Sequence, residues 1–435
     1  MIRPDPHELQ DLVRELHRQG TAWLPSGLGS RLHWGPPVAP DCQVLSAARL
    51  DRVLEHSVGD FTISVEAGLP LRQLQQHLER QRQWLALDWP WGGGAAAAGS
   101  IGGLVARGMA GGYRQRYYGV RDQVIGLKLM RADGTAALAG GRVVKNVAGY
   151  DLMRLFTGSW GSLGLITELT LRTLPLPPCR RGLLLWGPLP QLAALVSRLL
   201  ASSLTPERID WWSPALAHQL GSSIDPGTGD AEAAVLVALA SVDAPALEEQ
   251  LGWIQQQTPL PARPLQADAL AALLEALGNS TSTTTSTTTS TTTTTTNNTN
   301  SEAAPAGDGP RDRWLLRLGV RPDRVAELLA LPSLRPMAVE LAAGTGLGQA
   351  WTEATTLTPA AVADLRRRCR DLGGELTVLS QPPTSQLPAW EDAPSRPLIE
   401  AVKRAFDPRG QLAPGRLPGV APAAALAAAQ AASSR

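Results

Sequence analysis

Only three cysteines occur in the 435 residues, Cys42, Cys179 and Cys369, far apart and in no C-x-x-C pair. Neither a disulfide framework nor an iron–sulfur cluster is encoded, and buried free thiols are expected. An excess of one charge is lacking too, since 40 basic and 39 acidic residues leave a formal net charge of +1. With no basic run to track a phosphate backbone, nucleic acid is not an expected partner. No stretch reaches the roughly 18 uninterrupted apolar residues of a membrane span, and Met1-Ile2-Arg3-Pro4-Asp5 has no apolar signal core. A cytoplasmic protein without direct membrane insertion is expected. Histidine is sparse: His7, His17, His33, His56, His77 and His218 are the whole set. No metal site is read from them.

What the chain has is length and glycine runs. A prior of about 150 residues per domain predicts two or three domains. The stretch from Trp91 to Gly103, Trp-Gly-Gly-Gly-Ala-Ala-Ala-Ala-Gly-Ser-Ile-Gly-Gly, cannot build a core. It can let the main chain lie flat against a guest and offer it a row of N–H donors, and an anion is the natural guest. No Lys-Ser or Lys-Thr follows the glycines, which excludes a Walker loop. A Rossmann fingerprint would need a preceding strand and a carboxylate about 20 residues on. Alone, the run reads equally well as a plain loop.

In chain order, Asp5-Pro6-His7-Glu8 predicts a helix start with Asp5 as N-cap, then Leu9, Leu12, Val13 and Leu16 on one face and Gly20 at the end. Thr21 to Leu24 predicts a short strand delivering Pro25-Ser26-Gly27-Leu28-Gly29-Ser30-Arg31. This second glycine loop can form a concave nest of amides, with Ser30 and Arg31 as side-chain donors. Cys42 to Ser46 reads as a strand entering a helix that carries Leu50, Val53 and Leu54. Phe61 to Glu66 alternates as a strand, Leu71, Leu74 and Leu78 mark a helix, and Trp84 to Leu87 another strand. That alternation implies a small, mostly parallel sheet. Val124 to Met130 and Thr135 to Leu138 then form a hairpin, Val143 to Leu152 leads to a short helix, and Gly158 to Glu168 delivers one more strand. The second subdomain is antiparallel on this reading.

The order of the motifs carries a resemblance. P-x-G-x-G-S at 25–30, V-E-A-G at 65–68, G-S-I-G-G at 99–103, K-N-V-A-G-Y-D-L at 145–152 and G-S-W-G-S-L-G-L-I-T-E at 158–168 together resemble the FAD-binding domain of the vanillyl-alcohol-oxidase (PCMH-type) superfamily. Within it the chain is similar to the E-subunit family of glycolate oxidase (glycolate dehydrogenase), over about residues 1–178 and a C-terminal return from Phe406 to Arg416. The resemblance implies an α+β fold, a PCMH-type FAD-binding domain of two α+β subdomains. It also implies that main-chain amides of Ser26, Gly27, Leu28, Gly29 and Ser30, and of Gly99, Ser100, Ile101, Gly102 and Gly103, hold the FAD diphosphate. Gly161, Gly164, Leu165 and Ile166 would lie along the adenine and ribose side, or form no more than a tight turn and a core strand. Arg31, Lys145 and Arg416 are candidate partners for phosphate, flavin or a substrate carboxylate, or else solvated charges. Some relatives attach FAD through a His in the first glycine loop; here that loop has none, so non-covalent FAD is expected. Ala413 stands where the family usually has Asn, which puts a side-chain contact from that position in doubt.

From 179 to 395 the texture changes. Strands at Gly182 to Trp186, Ile209 to Trp212 and Ala233 to Leu239 alternate with helices at Gln191 to Leu200 and Pro245 to Gln256. From Arg313 to Leu379 the pattern is β-α-β-β-α-β, the split βαβ order of a ferredoxin-like antiparallel-sheet cap. Between them, 279–301 is almost wholly Ser, Thr and Asn and is expected to be a disordered surface insertion. Residues 396–420 return to the FAD domain and 421–435 form a loose tail. Oxidising a 2-hydroxy acid needs a base for the hydroxyl proton and a cation for the carboxylate, yet this cap offers only His218, more simply a structural histidine, and no catalytic residue is assigned. The resemblance thus implies an FAD-binding subunit of a glycolate dehydrogenase complex, beside a larger flavoprotein subunit and an iron–sulfur subunit, with electrons passed to an acceptor other than NAD. Membrane association would run through those partners. Two other readings stay open: a self-sufficient FAD-dependent oxidoreductase on another 2-hydroxy acid or alcohol, and a structural subunit that kept the fold without catalysis.

Overall fold

The computed structural model describes residues 1–88, 98–141, 151–220, 231–280, 313–418 and 420. The first part of the Gly/Ala run up to Ala97, Lys145 with its string up to Tyr150, the Ser/Thr-rich insertion from 281 on and the tail from 421 lie outside them.

The helix Leu9–Gln19 buries Leu9, Val13 and Leu16 and ends where Gly20 turns left-handed at φ +72°. It starts later than the Asp5 signal predicts. The Glu8 and Leu9 amides donate to the Asp5 carbonyl, while the Asp5 carboxylate pairs with Arg49 instead of capping. Strands β1 (Trp23–Ser26) and β2 (Gln43–Ser46) pair in parallel. The helix expected through Leu50, Val53 and Leu54 is instead strand β3 (Val53–Ser57), antiparallel to β4 (Thr62–Glu66). Pairing with β4 overrides the helical spacing, and Leu54, which a helix would bury, is 41% exposed.

Strand β5 (Gln83–Trp84) is short. β6 (Val124–Met130), β7 (Ala136–Gly140) and β8 (Leu165–Arg172) complete a five-stranded sheet of order β3-β4-β8-β6-β7, and β9 (Leu174–Pro175) pairs with β5. Every pairing in the five-stranded sheet is antiparallel, which corrects the mostly parallel expectation. Helices Leu71–Glu79 and Ile101–Arg107 pack on it through Leu71, Leu74, Leu78, Leu104 and Val105. Gly68 joins sheet to helix where no side chain fits: a Cβ there would stand 1.9 Å from the Ala47 carbonyl oxygen.

The rest of the chain builds one eight-stranded sheet from β10 (Cys179–Gly187), β11 (Arg208–Trp212), β12 (Ala233–Ser241), β13 (Ala262–Leu265), β14 (Arg313–Gly319), β15 (Ala338–Ala342), β16 (Leu347–Glu353) and β17 (Glu375–Ser380). Its order, β13-β10-β12-β11-β15-β16-β14-β17, is two split-βαβ units joined edge to edge through β11 and β15. The sequence pattern shows the second unit. The first is harder to read because its edge strand β13 contains Pro264, and the helix after it, Ala267–Ser280, takes in Asn279 and Ser280 of the expected insertion. One face of the sheet, with Ile209, Trp211, Val339 and Leu341, is covered by helices. The other, with Leu184, Trp212, Ala338 and Trp351, packs on Trp34, Met109 and Trp160 of the first half. Strand alternation places Arg208, Asp210, Glu340 and Gln349 on this second face.

The C-terminal helix Arg396–Phe406 is tied down by Lys403, whose Nζ donates to the carbonyls of Ser162 and Leu412 at 2.8 Å and to Asp407 at 2.6 Å. Beyond it, Trp23 and the segment at 411–413 exchange main-chain hydrogen bonds. Ala413 sits there at φ +44°, a left-handed position that Asn tolerates better than Ala. The usual Asn is thus accounted for by the turn. Among the described residues no helix is long and apolar enough to cross a membrane.

Candidate functional site

Strand β1 ends in the first glycine loop. Ser46 Oγ donates to the Gly27 carbonyl at 2.7 Å and the Ala47 amide to the Ser26 carbonyl at 2.7 Å, and Gly29 turns left-handed at φ +80°. These contacts fix the loop through its carbonyls. The amides of Gly27, Leu28, Gly29 and Ser30 donate to nothing among the described residues, so four successive N–H groups stand open. Against them lies Gly99-Ser100-Ile101-Gly102-Gly103. A Cβ on Gly27 would come within 2.0 Å of Ser100 Oγ, so the two loops touch. The second run is already committed, however. Ile101 donates to the Leu69 carbonyl, Gly102 to the Ala67 carbonyl and Gly103 to Ser100 Oγ. Its part is shape and close approach, with its free amides limited to Gly99 and Ser100, a correction to the expectation of five donors.

Three guanidinium groups border the same cleft: Arg31, Arg107 and Arg416. Arg107, which the sequence reading did not single out, comes from the last turn of the helix Ile101–Arg107. Its Nη2 donates to the Arg31 carbonyl at 2.8 Å, its guanidinium lies 3.8 Å over the Trp160 ring, and its Nη1 is buried with no partner. Burial, then the charges of Arg416 and Arg31, push its pKa well below the usual arginine range. Arg416 donates to the carbonyls of Trp34 and Leu32 at 2.5 and 2.9 Å, and burial brings it down to about 10. Arg31 donates to Ser30 Oγ at 2.9 Å and is lowered by burial to about 10 as well. Buried positive charge beside a row of open amides fits a bound diphosphate.

Comparison with known proteins agrees with this geometry. Residues 4–139 match the FAD binding domain family. The chain carries a PCMH-type FAD-binding domain. Its cofactor is FAD. It is 34% identical over 215 residues to the D-2-hydroxyglutarate dehydrogenase of Xanthomonas citri pv. viticola, covering 49% of this chain and 44% of that protein. It is also 34% identical over 169 residues to the glycolate oxidase subunit GlcE of Escherichia coli, covering 39% of this chain and 47% of the subunit. The chain thus aligns with less than half the length of these relatives. A solved alkyldihydroxyacetonephosphate synthase shares the fold over 94% of this chain and 74% of its own, with a TM-score of 0.64 at 14% identity.

Within the FAD-binding domain, Ser26, Gly27, Leu28, Gly29, Ser30, Gly99, Ser100, Gly102, Gly103, Gly161, Gly164, Leu165 and Ile166 all line the one cleft. Ile101 does not: its side chain is fully buried in the core below. Gly161 is left-handed at φ +76°, and a Cβ on Gly164 would meet the Met130 carbonyl oxygen at 2.9 Å, so both glycines have local reasons to be there. His218 is exposed on the helix Pro214–Gln219 and borders neither cavity.

A second cavity of about 400 Å³ opens between the FAD-binding domain and the eight-stranded sheet, and Ala98 borders both cavities. Its lining includes Arg72, Trp84, Asp88, Tyr113, Arg180, Arg208, Glu340 and Gln349. Arg208 is the hub: it pairs with Asp210, donates to Glu340 Oε1 at 2.8 Å and lies 3.8 Å from Asp88. Burial alone would lower Arg208, but Asp210, Glu340 and Asp88 hold it well above its usual range. Burial, with Arg208 opposing, raises Asp210 to about 6. Burial and the Asp210 charge raise Glu340 to about 8. Three carboxylates around one guanidinium cannot all ionise cheaply, so the group retains a proton at neutral pH. The sequence signal was available, a lone acid inside an apolar strand in Ile209-Asp210-Trp211-Trp212 and Val339-Glu340-Leu341.

Proposed function

We propose that this chain is an FAD-dependent oxidoreductase acting on small 2-hydroxy acids, glycolate foremost, as the FAD-binding subunit of a glycolate-oxidising complex. Residues 1–178 and 396–420 form its cofactor domain and 179–395 its cap. The observation that carries the reading is the meeting of the two glycine loops, where four open amides and the unpartnered Nη1 of Arg107 converge on one cleft. The named residues that line this cleft, Ser26 to Ser30 above all, would hold FAD non-covalently by its diphosphate. When bound, FAD supplies a two-electron acceptor for hydride. The chain's own residues hold it, keep Trp160 and Trp34 over the arginines to exclude water, and place the cap face opposite.

Similarity to hydroxy-acid dehydrogenases and to GlcE supports the substrate class and the partnership, a larger flavoprotein subunit and an iron–sulfur subunit passing electrons to an acceptor other than NAD. The test is anaerobic addition of glycolate to the FAD-loaded chain, alone and with the co-purified complex. The expected result is bleaching of flavin absorbance in the complex. An FAD-loaded complex that no small 2-hydroxy acid bleaches contradicts the reading.

A further inference from the structure

The FAD cleft accounts for Arg31, Arg107 and Arg416 but leaves the second cavity without a task. That cavity is lined by charged as well as apolar side chains, adjoins the cleft at Ala98 and lies beside groups that ordinary packing does not satisfy. Gln349, 4% exposed, has an unpartnered Oε1, and Asp210, the fully buried partner of Arg208, has an unpartnered Oδ1 facing Gly112. Arg72 reaches Glu275 only at 3.4 Å, and its Nε is buried without a hydrogen bond. A cavity whose lining holds both an acid hub and an under-used guanidinium suits a small ligand carrying both a hydroxyl and a carboxylate.

We propose that this cavity is where the chain takes its hydroxy acid, with Glu340 accepting the hydroxyl proton and Arg72 pairing with the substrate carboxylate. The proposal rests on the 2-hydroxy-acid reading above and supplies the base that the histidine count leaves missing. FAD, when bound, would supply the acceptor for the hydride that leaves the substrate carbon with the C–H electron pair. The O–H proton passes to a Glu340 carboxylate oxygen, and the C–O bond becomes C=O, so two electrons and two hydrogens leave the substrate. Arg208 holds the Glu340 carboxylate in place through Oε1. The groups facing Glu340 are Arg208 and Asp210 from β11, Asp88 from the segment after β5, and Gln349 opposite it on β16.

The test uses the full FAD-loaded chain with glycolate as probe and reads two quantities. Calorimetry follows glycolate affinity against pH, and stopped-flow absorbance follows flavin reduction. In the native chain affinity falls as pH rises past about 8, because an ionised Glu340 repels the carboxylate, while the reduction rate rises over the same range. Glu340→Gln keeps FAD affinity and glycolate affinity at pH 7, loses the pH dependence of both quantities, and slows reduction by about 100-fold or more. Arg72→Gln weakens glycolate binding by about 10-fold or more with FAD affinity unchanged. A Glu340→Gln chain with native rate and native pH profile overturns the assignment and leaves the hydroxy-acid reading standing. Glycolate that neither binds to nor reduces the native chain overturns the assignment of this cavity, and it overturns the hydroxy-acid reading as well only where the co-purified complex is not bleached either.

Discussion

Replacing Arg107 by methionine weakens FAD binding by about 100- to 1000-fold and leaves the FAD-free chain as stable as before or more so. In the FAD-free chain this guanidinium is a buried charge with two other arginines for neighbours and an Nη1 that bonds to nothing. Such a charge is costly to hold in the interior. Methionine keeps the apolar stem over Trp160 and removes the charge, giving up one hydrogen bond to the Arg31 carbonyl. With a diphosphate in the cleft the balance reverses, because charge-assisted bonds in a desolvated site contribute about 2–4 kcal/mol. Titration of the FAD-free protein by fluorescence quenching, beside thermal unfolding without cofactor, separates the two effects. Unchanged FAD affinity with a lower Tm would give Arg107 a purely structural role.

Gly27→Val abolishes FAD binding, a loss of about 1000-fold or more. Its Cβ would stand 2.0 Å from Ser100 Oγ and 3.0 Å from Ser100 Cβ, so the loops must separate and the open amides from Gly27 to Ser30 lose their common focus. Ser100 Oγ also caps the helix Ile101–Arg107 by accepting the Gly103 amide. Overpacking of this kind therefore lowers stability too, by about 1–3 kcal/mol. Gly29→Ala is the comparison: it carries the strain of φ +80°, about 1 kcal/mol, and retains measurable binding. Equal FAD affinity in Gly27→Val and the native chain would remove the first loop from the site.

The residues that touch through main chain were legible in the sequence. Glycines at 27, 29, 99, 102 and 103 announce close approach because no other residue permits it, and the cleft collects all of them. Strands Val124–Met130 and Glu375–Ser380 and the helix Pro359–Asp371 follow from alternation, a Thr358 cap and a left-handed Gly373. What was not legible depends on partners distant in sequence. Val53 and Leu54 have helical spacing until β4 claims them. The committed amides of Ile101 and Gly102 depend on the Leu69 and Ala67 carbonyls. Arg107 looks like any cation at a helix end until Trp160, more than 50 residues on, covers it. The group of Asp88, Arg208, Asp210 and Glu340 is drawn from three separated segments, and only the pairing of β11 with β15 brings Asp210 and Glu340 onto one face.

The central claim is that the two glycine loops recognise the diphosphate of FAD, and competition measures this most directly. FAD bound to the purified chain is challenged with ADP, which carries the adenosine and the diphosphate without the flavin, and in parallel with riboflavin, which carries the flavin without either. ADP displacing FAD in the native chain and losing that ability in Arg107→Met, with riboflavin ineffective at the same concentration, is the predicted result. Displacement by riboflavin and none by ADP would contradict it.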